Sequence, residues 1–195
     1  MSDISIVIAS YSGYGHTAQI ATAVADGARS LAGTRVHRVD VGSLGDADWE
    51  LLDAADAIVF GTPTYMGTAS GAFHAFAEAT SKRWSDRAWS DKLAAGFTNS
   101  GSMSGDKLHT LQYLSLLAAQ HGMLWVSLNL LPGWNTTTSD PEDDNRLGFY
   151  LGAGAQSFND TPAVHDADLR TARHLGRRVA EQTRIHRAGL AAAAR

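Results

Sequence analysis

The chain has no cysteine. That absence removes disulfides, Cys-ligated zinc, iron–sulfur clusters and thiol nucleophiles together, so any redox chemistry must come from a bound cofactor. Excess positive charge is missing too: 16 Lys and Arg stand against 20 Asp and Glu, a net charge of −4. Such a balance argues against nucleic acid or an anionic membrane as the main partner. The one basic cluster, Arg170 to Arg187, is spaced like the solvated face of a helix. No apolar run approaches membrane-spanning length, and the acidic first residues lead straight into a strand. A cytoplasmic protein without a leader is expected. Repeats and low-complexity linkers are absent, and no metal site is expected. The 195 residues suit one domain, 1–188, with an excursion at 129–149 and a frayed tail at 189–195.

What is present centres on residues 4–18. Ile4–Ala9 has the β-branched content of a strand buried on both faces, and Ile20, Val24, Ala28 and Leu31 mark a helix from about Thr17. Strand, tight loop and helix aim backbone N–H groups and a positive helix end at one point, where an anion belongs. Between Ser10 and Thr17 there is no Lys, Arg, Asp or Glu, which excludes a Walker-type loop. The hydroxyls of Ser10, Ser12 and Thr17 and the amides of Gly13, Tyr14, Gly15 and His16 suffice for one phosphate monoester without a metal. Gly13 to Ala18 also satisfies the dinucleotide pattern G-x-G-x-x-A, with Asp40 placed as a ribose-binding acid. The mononucleotide reading fits better, because hydroxyls precede the glycines and the glycines lie several residues past the strand.

Further strands are expected at Arg35–Val41, Ala57–Thr62, Lys92–Thr98 and Met123–Leu128, with Phe149–Ala155 resuming the last strand direction. Helices are expected at Asp46–Ala55, from a Ser70 cap to about Thr80, over Leu108–Ala118, and from Asp166 to about His186. Trp84 and Trp89 fall in a polar connection. Alternating strands and helices call for a parallel sheet covered on both faces, with ligands beyond the carboxyl ends of the strands. Loops rich in small residues follow three buried strands, at Ser10, at Pro63-Thr64-Tyr65-Met66-Gly67, and at Asn99-Ser100-Gly101-Ser102-Met103-Ser104-Gly105. Their convergence is the signal.

On Tyr11-Ser12-Gly13-Tyr14-Gly15-His16, Phe60-Gly61-Thr62-Pro63-Thr64, Asn99-Ser100-Gly101-Ser102 and His121-Gly122-Met123, the chain resembles the WrbA-type NAD(P)H:quinone oxidoreductases of the flavodoxin-like fold. The resemblance covers nearly the whole chain. It implies an α/β three-layer sandwich with a five-stranded parallel sheet in the order 2-1-3-4-5. FMN is the implied cofactor, its phosphate on Ser12 to Thr17. The isoalloxazine would lie between Pro63 to Gly67, chiefly Thr64 to Met66, and Asn99 to Ser104. His121 would sit beside the ring as the catalytic candidate, Tyr14 would place NADH or NADPH, and Trp84 would wall the substrate side. Hydride would pass from NAD(P)H through FMN to a quinone-type acceptor in a two-electron ping-pong reaction, in a homodimer or homotetramer. A flavodoxin-like electron carrier and a pathway-specific flavin reductase are the alternatives. Tyr65-Met66 replaces the family's Arg-Phe, and Ser102-Met103-Ser104-Gly105 its Thr-Gly-Gly-Gly. Taken alone, His121 reads as a helix-end residue, and Trp84 and Trp89 as packing aromatics.

Overall fold

The computed structural model describes residues 3–194. Its elements run β1 (Ile4–Ser10), α1 (His16–Arg29), β2 (Thr34–Asp40), α2 (Asp46–Ala54), β3 (Ala57–Tyr65), β4 (Thr68–Ala69), α3 (Gly71–Ala79) and α4 (Ser81–Ser85). β5 (Leu93–Ser100), α5 (Lys107–Gln120), β6 (Leu124–Trp125), β7 (Ala153–Gln156) and α6 (Asp166–Ala193) complete the chain. The main ladder is β2-β1-β3-β5-β6, parallel throughout. Counting the principal strands alone, this is the order 2-1-3-4-5.

Alternation along β1 builds both halves of the core. Ile4, Ile6 and Ile8 join α1 and α6 on one face; Val7 and Ala9 join α2, α3 and α5 on the other. On the first face α1 and α6 cross so closely that a β carbon at Gly27 would lie 1.9 Å from the Arg173 carbonyl oxygen, and one at Gly176 the same distance from that of Val24. Only hydrogen fits at either place.

Three expectations need correction. The last strand is split: β6 pairs with the start of β5, whereas β7, after the excursion, pairs with its end. The Leu128 N–H still donates to the Tyr150 carbonyl, so the two arms of the excursion are joined at its base. Trp89 is no part of a polar connection; it is fully buried, donates its indole N–H to Asp53 Oδ1 at 2.8 Å and packs on Phe60 and Phe76. Finally, α6 continues to Ala193, because a run of alanine has the highest helix propensity and needs no packing to persist. Arg195, the last residue of the expected frayed tail, lies outside the described residues. Among the described residues no helix is long and apolar enough to cross a membrane, and no three His, Asp or Glu side chains gather as a metal site would require.

Candidate functional site

At the carboxyl rim of the sheet, four chain segments surround a cleft of about 490 Å³. Tyr14, His16 and Thr17 come from the first loop and Pro63 to Gly67 from the second. The third supplies Asn99 to Ser102, Gly105 and Asp106; the fourth, after β7, adds Ser157 and Asn159.

In the first loop the Ser12 hydroxyl oxygen accepts the N–H groups of Gly15 and Ala18, each at 3.1 Å. The opening amides of α1 are thereby gathered around one point. Amides of a first helical turn have no intrahelical acceptor, and the helix dipole adds positive potential there. With no charged side chain in the loop, an anionic group would meet neutral donors only. The His16 imidazole is engaged within the fold, since its Nε2 lies 2.8 Å from the Thr161 carbonyl oxygen and ties the fourth loop to the first. Gln19 Nε2 reinforces that tie at Pro162. Ser10 and Ser12 also face a separate recess beside Arg38 and Asp40, so Ser10 stands behind the cleft.

The second loop is a hairpin between β3 and β4, turned by Met66 (φ 50°) and Gly67 (φ 87°). Tyr65 leans over the first loop: a β carbon at Gly13 would come within 2.8 Å of its hydroxyl oxygen. Burial, with help from Tyr14 and Tyr11, pushes the Tyr65 phenol upward from its ordinary range, so at neutral pH it is an uncharged donor. Beneath the cleft a buried hydroxyl chain fixes the strand ends. Thr64 Oγ1 is 2.8 Å from both Thr98 Oγ1 and Thr110 Oγ1, Thr98 donates to the Thr62 carbonyl, and Thr62 bonds Ser70, the cap of α3.

Asn99 gives the third loop its test of fit. The side chain is buried; Nδ2 donates to Ser157 Oγ at 2.8 Å, while Oδ1 has no partner among the described residues. A buried acceptor left unpaired costs about 1–3 kcal/mol, and the residue that carries this one borders the cleft. A flat ligand carrying a ring N–H or a hydroxyl satisfies it. Together, the uncharged anion cradle and the orphaned acceptor suit a phosphorylated flavin.

Two anticipated residues are elsewhere. α3 and α5 run back from this rim to the amino ends of the strands, and Trp84 and His121 follow them there. His121 is buried, with Nε2 2.8 Å from Thr80 Oγ1 and its ring 4.7 Å from that of Trp89; its Nδ1 has no partner. Burial lowers its pKa, so it is neutral and structural within this protomer. Trp84 is half-exposed beside the Arg83–Asp53 pair and does not border the cleft. Any role for it at a cleft needs a second copy of the chain. Gly13, Gly15, Met103 and Ser104 shape the loops without lining the cavity. Conversely, Ser157, Asn159 and Asp106 were not anticipated. The small-residue run Gly152 to Ala155 was the available clue, since a strand there puts the turn-rich 157–162 stretch on the same rim.

Residues 3–131 match the family described as NADPH-dependent FMN reductase. Flavodoxin FldP of Pseudomonas aeruginosa is 45% identical over 89% of this chain and 94% of its own. An NAD(P)H dehydrogenase (quinone) of Archaeoglobus fulgidus is 32% identical over 90% of this chain and 95% of its own. Among solved structures, a flavodoxin, WrbA-like protein from Agrobacterium tumefaciens shares 46% identity with a TM-score of 0.76, over 94% of this chain and 99% of that one. With its flavodoxin-like sheet and its family match over residues 3–131, the chain belongs to the NADPH-dependent FMN reductase family.

Proposed function

We propose that this protein is an FMN-dependent oxidoreductase that takes electrons from NADH or NADPH and gives them to a small quinone-type acceptor in a ping-pong cycle. The observation that carries it is the pairing of an uncharged anion cradle with an unpaired buried acceptor, Asn99 Oδ1, in one cleft. Ser12 to Thr17 hold the phosphate, and Pro63 to Gly67 with Asn99 to Ser104 flank the ring. FMN, when bound, supplies the electron transfer chemistry. The chain's own work is positioning: Asn99 accepts a hydrogen bond, the Tyr65 phenol donates one, and the hydroxyl chain beneath keeps the loops from shifting.

Next to the cleft lies a recess of about 620 Å³ bounded by Tyr14, His16 and Asn159 to Pro162. Tyr14 is largely exposed and stands edge-on to Tyr65, ring centres 6.3 Å apart, as a platform for a planar substrate. Donor and acceptor sharing this one recess must use it in turn, which is the basis of the ping-pong order.

An electron carrier is the second reading, favoured by the likeness to the Pseudomonas flavodoxin. The walls speak against it. Asp106 and Asp160 are the only carboxylates lining the cleft and this recess among the described residues, too few to steer a protein partner. The test is FMN uptake by the purified protein, followed by NADH and NADPH oxidation with benzoquinone as acceptor. Saturable, FMN-dependent turnover is expected. No FMN uptake at micromolar concentration overturns the cleft assignment; uptake without turnover leaves the carrier.

A further inference from the structure

Lys107 is fully buried at the first position of α5, behind the 101–105 loop. Its location is doubly unfavourable, because burial disfavours the ammonium and a cation at a helix N-terminus opposes the dipole. Burial lowers its pKa to about 8, against the pull of Asp168 and with help from Arg146, so at neutral pH it stays protonated. Among the described residues no ion pair relieves it. Asp168 is committed to a bidentate pair with Arg146, both contacts at 2.9 Å, and also accepts the Gln156 N–H at 2.8 Å. Lys107, Arg146 and Asp168 together leave one positive charge in excess.

That charge is spent on the loop. Lys107 Nζ donates to the carbonyl oxygens of Ser102 at 2.5 Å and Met103 at 3.2 Å, and Gln156 Nε2 takes that of Gly101 at 3.1 Å. Three successive carbonyls are thus drawn to one side. Since a trans peptide sets its N–H opposite its C=O, the N–H groups of Ser102, Met103 and Ser104 are turned the other way. The cleft wall is made by Ser100, Gly101 and Ser102.

We infer that Lys107 is a positioning cation for the cofactor: it anchors the 101–104 loop by the Ser102 and Met103 carbonyls and places its charge behind the Gly101–Ser102 stretch of the cleft wall, so that reduced FMN is held more tightly than oxidised FMN. This rests on the FMN reading above. Two electrons and one proton added to a flavin leave one negative charge on the ring, and a polarised peptide wall backed by an ammonium favours that state without putting a cation in the cleft. An uncharged wall and an electron-rich ligand are thereby reconciled.

The experiment compares wild type with Lys107→Gln and Lys107→Met in the full-length, FMN-loaded protein, measuring FMN affinity and midpoint potential at pH 7. Gln keeps a donor for the loop carbonyls and loses the charge; Met loses both. For both variants the ratio of reduced to oxidised FMN affinity is expected to fall about tenfold, a potential lower by about 30 mV for a two-electron couple. Equal potentials in FMN-loaded wild type and variants overturn the inference and leave the cleft assignment standing. Failure of wild type to take up FMN overturns both. Should the variants not fold, the wild type decides by NMR titration of the Lys107 ε-carbon, with Arg146 and Asp168 as the charged groups facing the ammonium. Reciprocal coupling raises its pKa by about one unit when the bound FMN is reduced. An unchanged pKa overturns the inference.

Discussion

The two rims of the sheet are built from opposite materials. At the carboxyl rim the loops are short-chained and nearly uncharged, with Ser12, Thr17, Thr64, Asn99 and Ser157 supplying hydroxyls and an amide. At the amino rim, aromatics and ions lock together. Asp53 accepts from both Arg83 and Trp89, Lys92 Nζ donates to the carbonyls of Leu52 and Asp53, and Arg83 lies 3.9 Å over the Trp49 ring. His121, Thr80 and Trp89 close the far side of the same cluster. One rim leaves donors and acceptors unspent for a ligand, and the other spends nearly all of them internally. Division of labour between binding and stability is therefore spatial.

The sharpest way to break this comparison is Trp89→Ala, which empties a fully buried site and leaves Asp53 short of a donor. A stability loss of about 3–5 kcal/mol is expected, read by urea unfolding, with FMN affinity unchanged while the protein remains folded. A coupled loss of FMN binding in the folded protein would merge the two rims. Asn99→Leu asks the reverse question. Removing the unpaired acceptor should weaken FMN by about 1–3 kcal/mol in a fluorescence titration, yet shift the unfolding midpoint of the ligand-free protein little.

A smaller effect belongs to His121. Its native pKa lies below the ordinary value, so on acidification the unfolded chain binds the proton first and stability falls as pH drops through about 6.5. His121→Phe should flatten that part of the stability profile and leave turnover of NAD(P)H intact. A collapse of turnover at constant FMN content would return His121 to the site. Smallest of all is Arg177→Ala, which breaks the exposed pair with Glu181 on α6. A change below about 0.5 kcal/mol is expected from thermal unfolding, since exposed pairs of this kind contribute little.

Much of the fold was legible because it is written in periodicities. Ile4, Ile6 and Ile8 against Val7 and Ala9 define the two faces, and the three small-residue loops fall where buried strands end. Site membership was legible only where a residue directly follows a strand. Trp84 and His121 follow helices, and a helix that packs antiparallel to its strand carries whatever follows it to the opposite rim. Trp89 reads as a packing aromatic from its residue type alone, because its neighbours Arg87, Ser90 and Asp91 are polar and no period marks its place in the core. Nothing local marks Lys107 either, since the charges that act on it, Arg146 and Asp168, arrive from distant segments.

The divided final strand makes residues 131–144 an interchangeable part. Chain departs after β6 and re-enters at β7, and both halves dock on β5 by their own backbone bonds. Grafting a longer or shorter segment there would leave the ladder whole, while the Asn145 and Arg146 anchors on Leu130, Thr171 and Asp168 would decide how faithfully β7 delivers Ser157 and Asn159 to their posts. Acceptor preference could thus diversify at one surface without renegotiating the architecture.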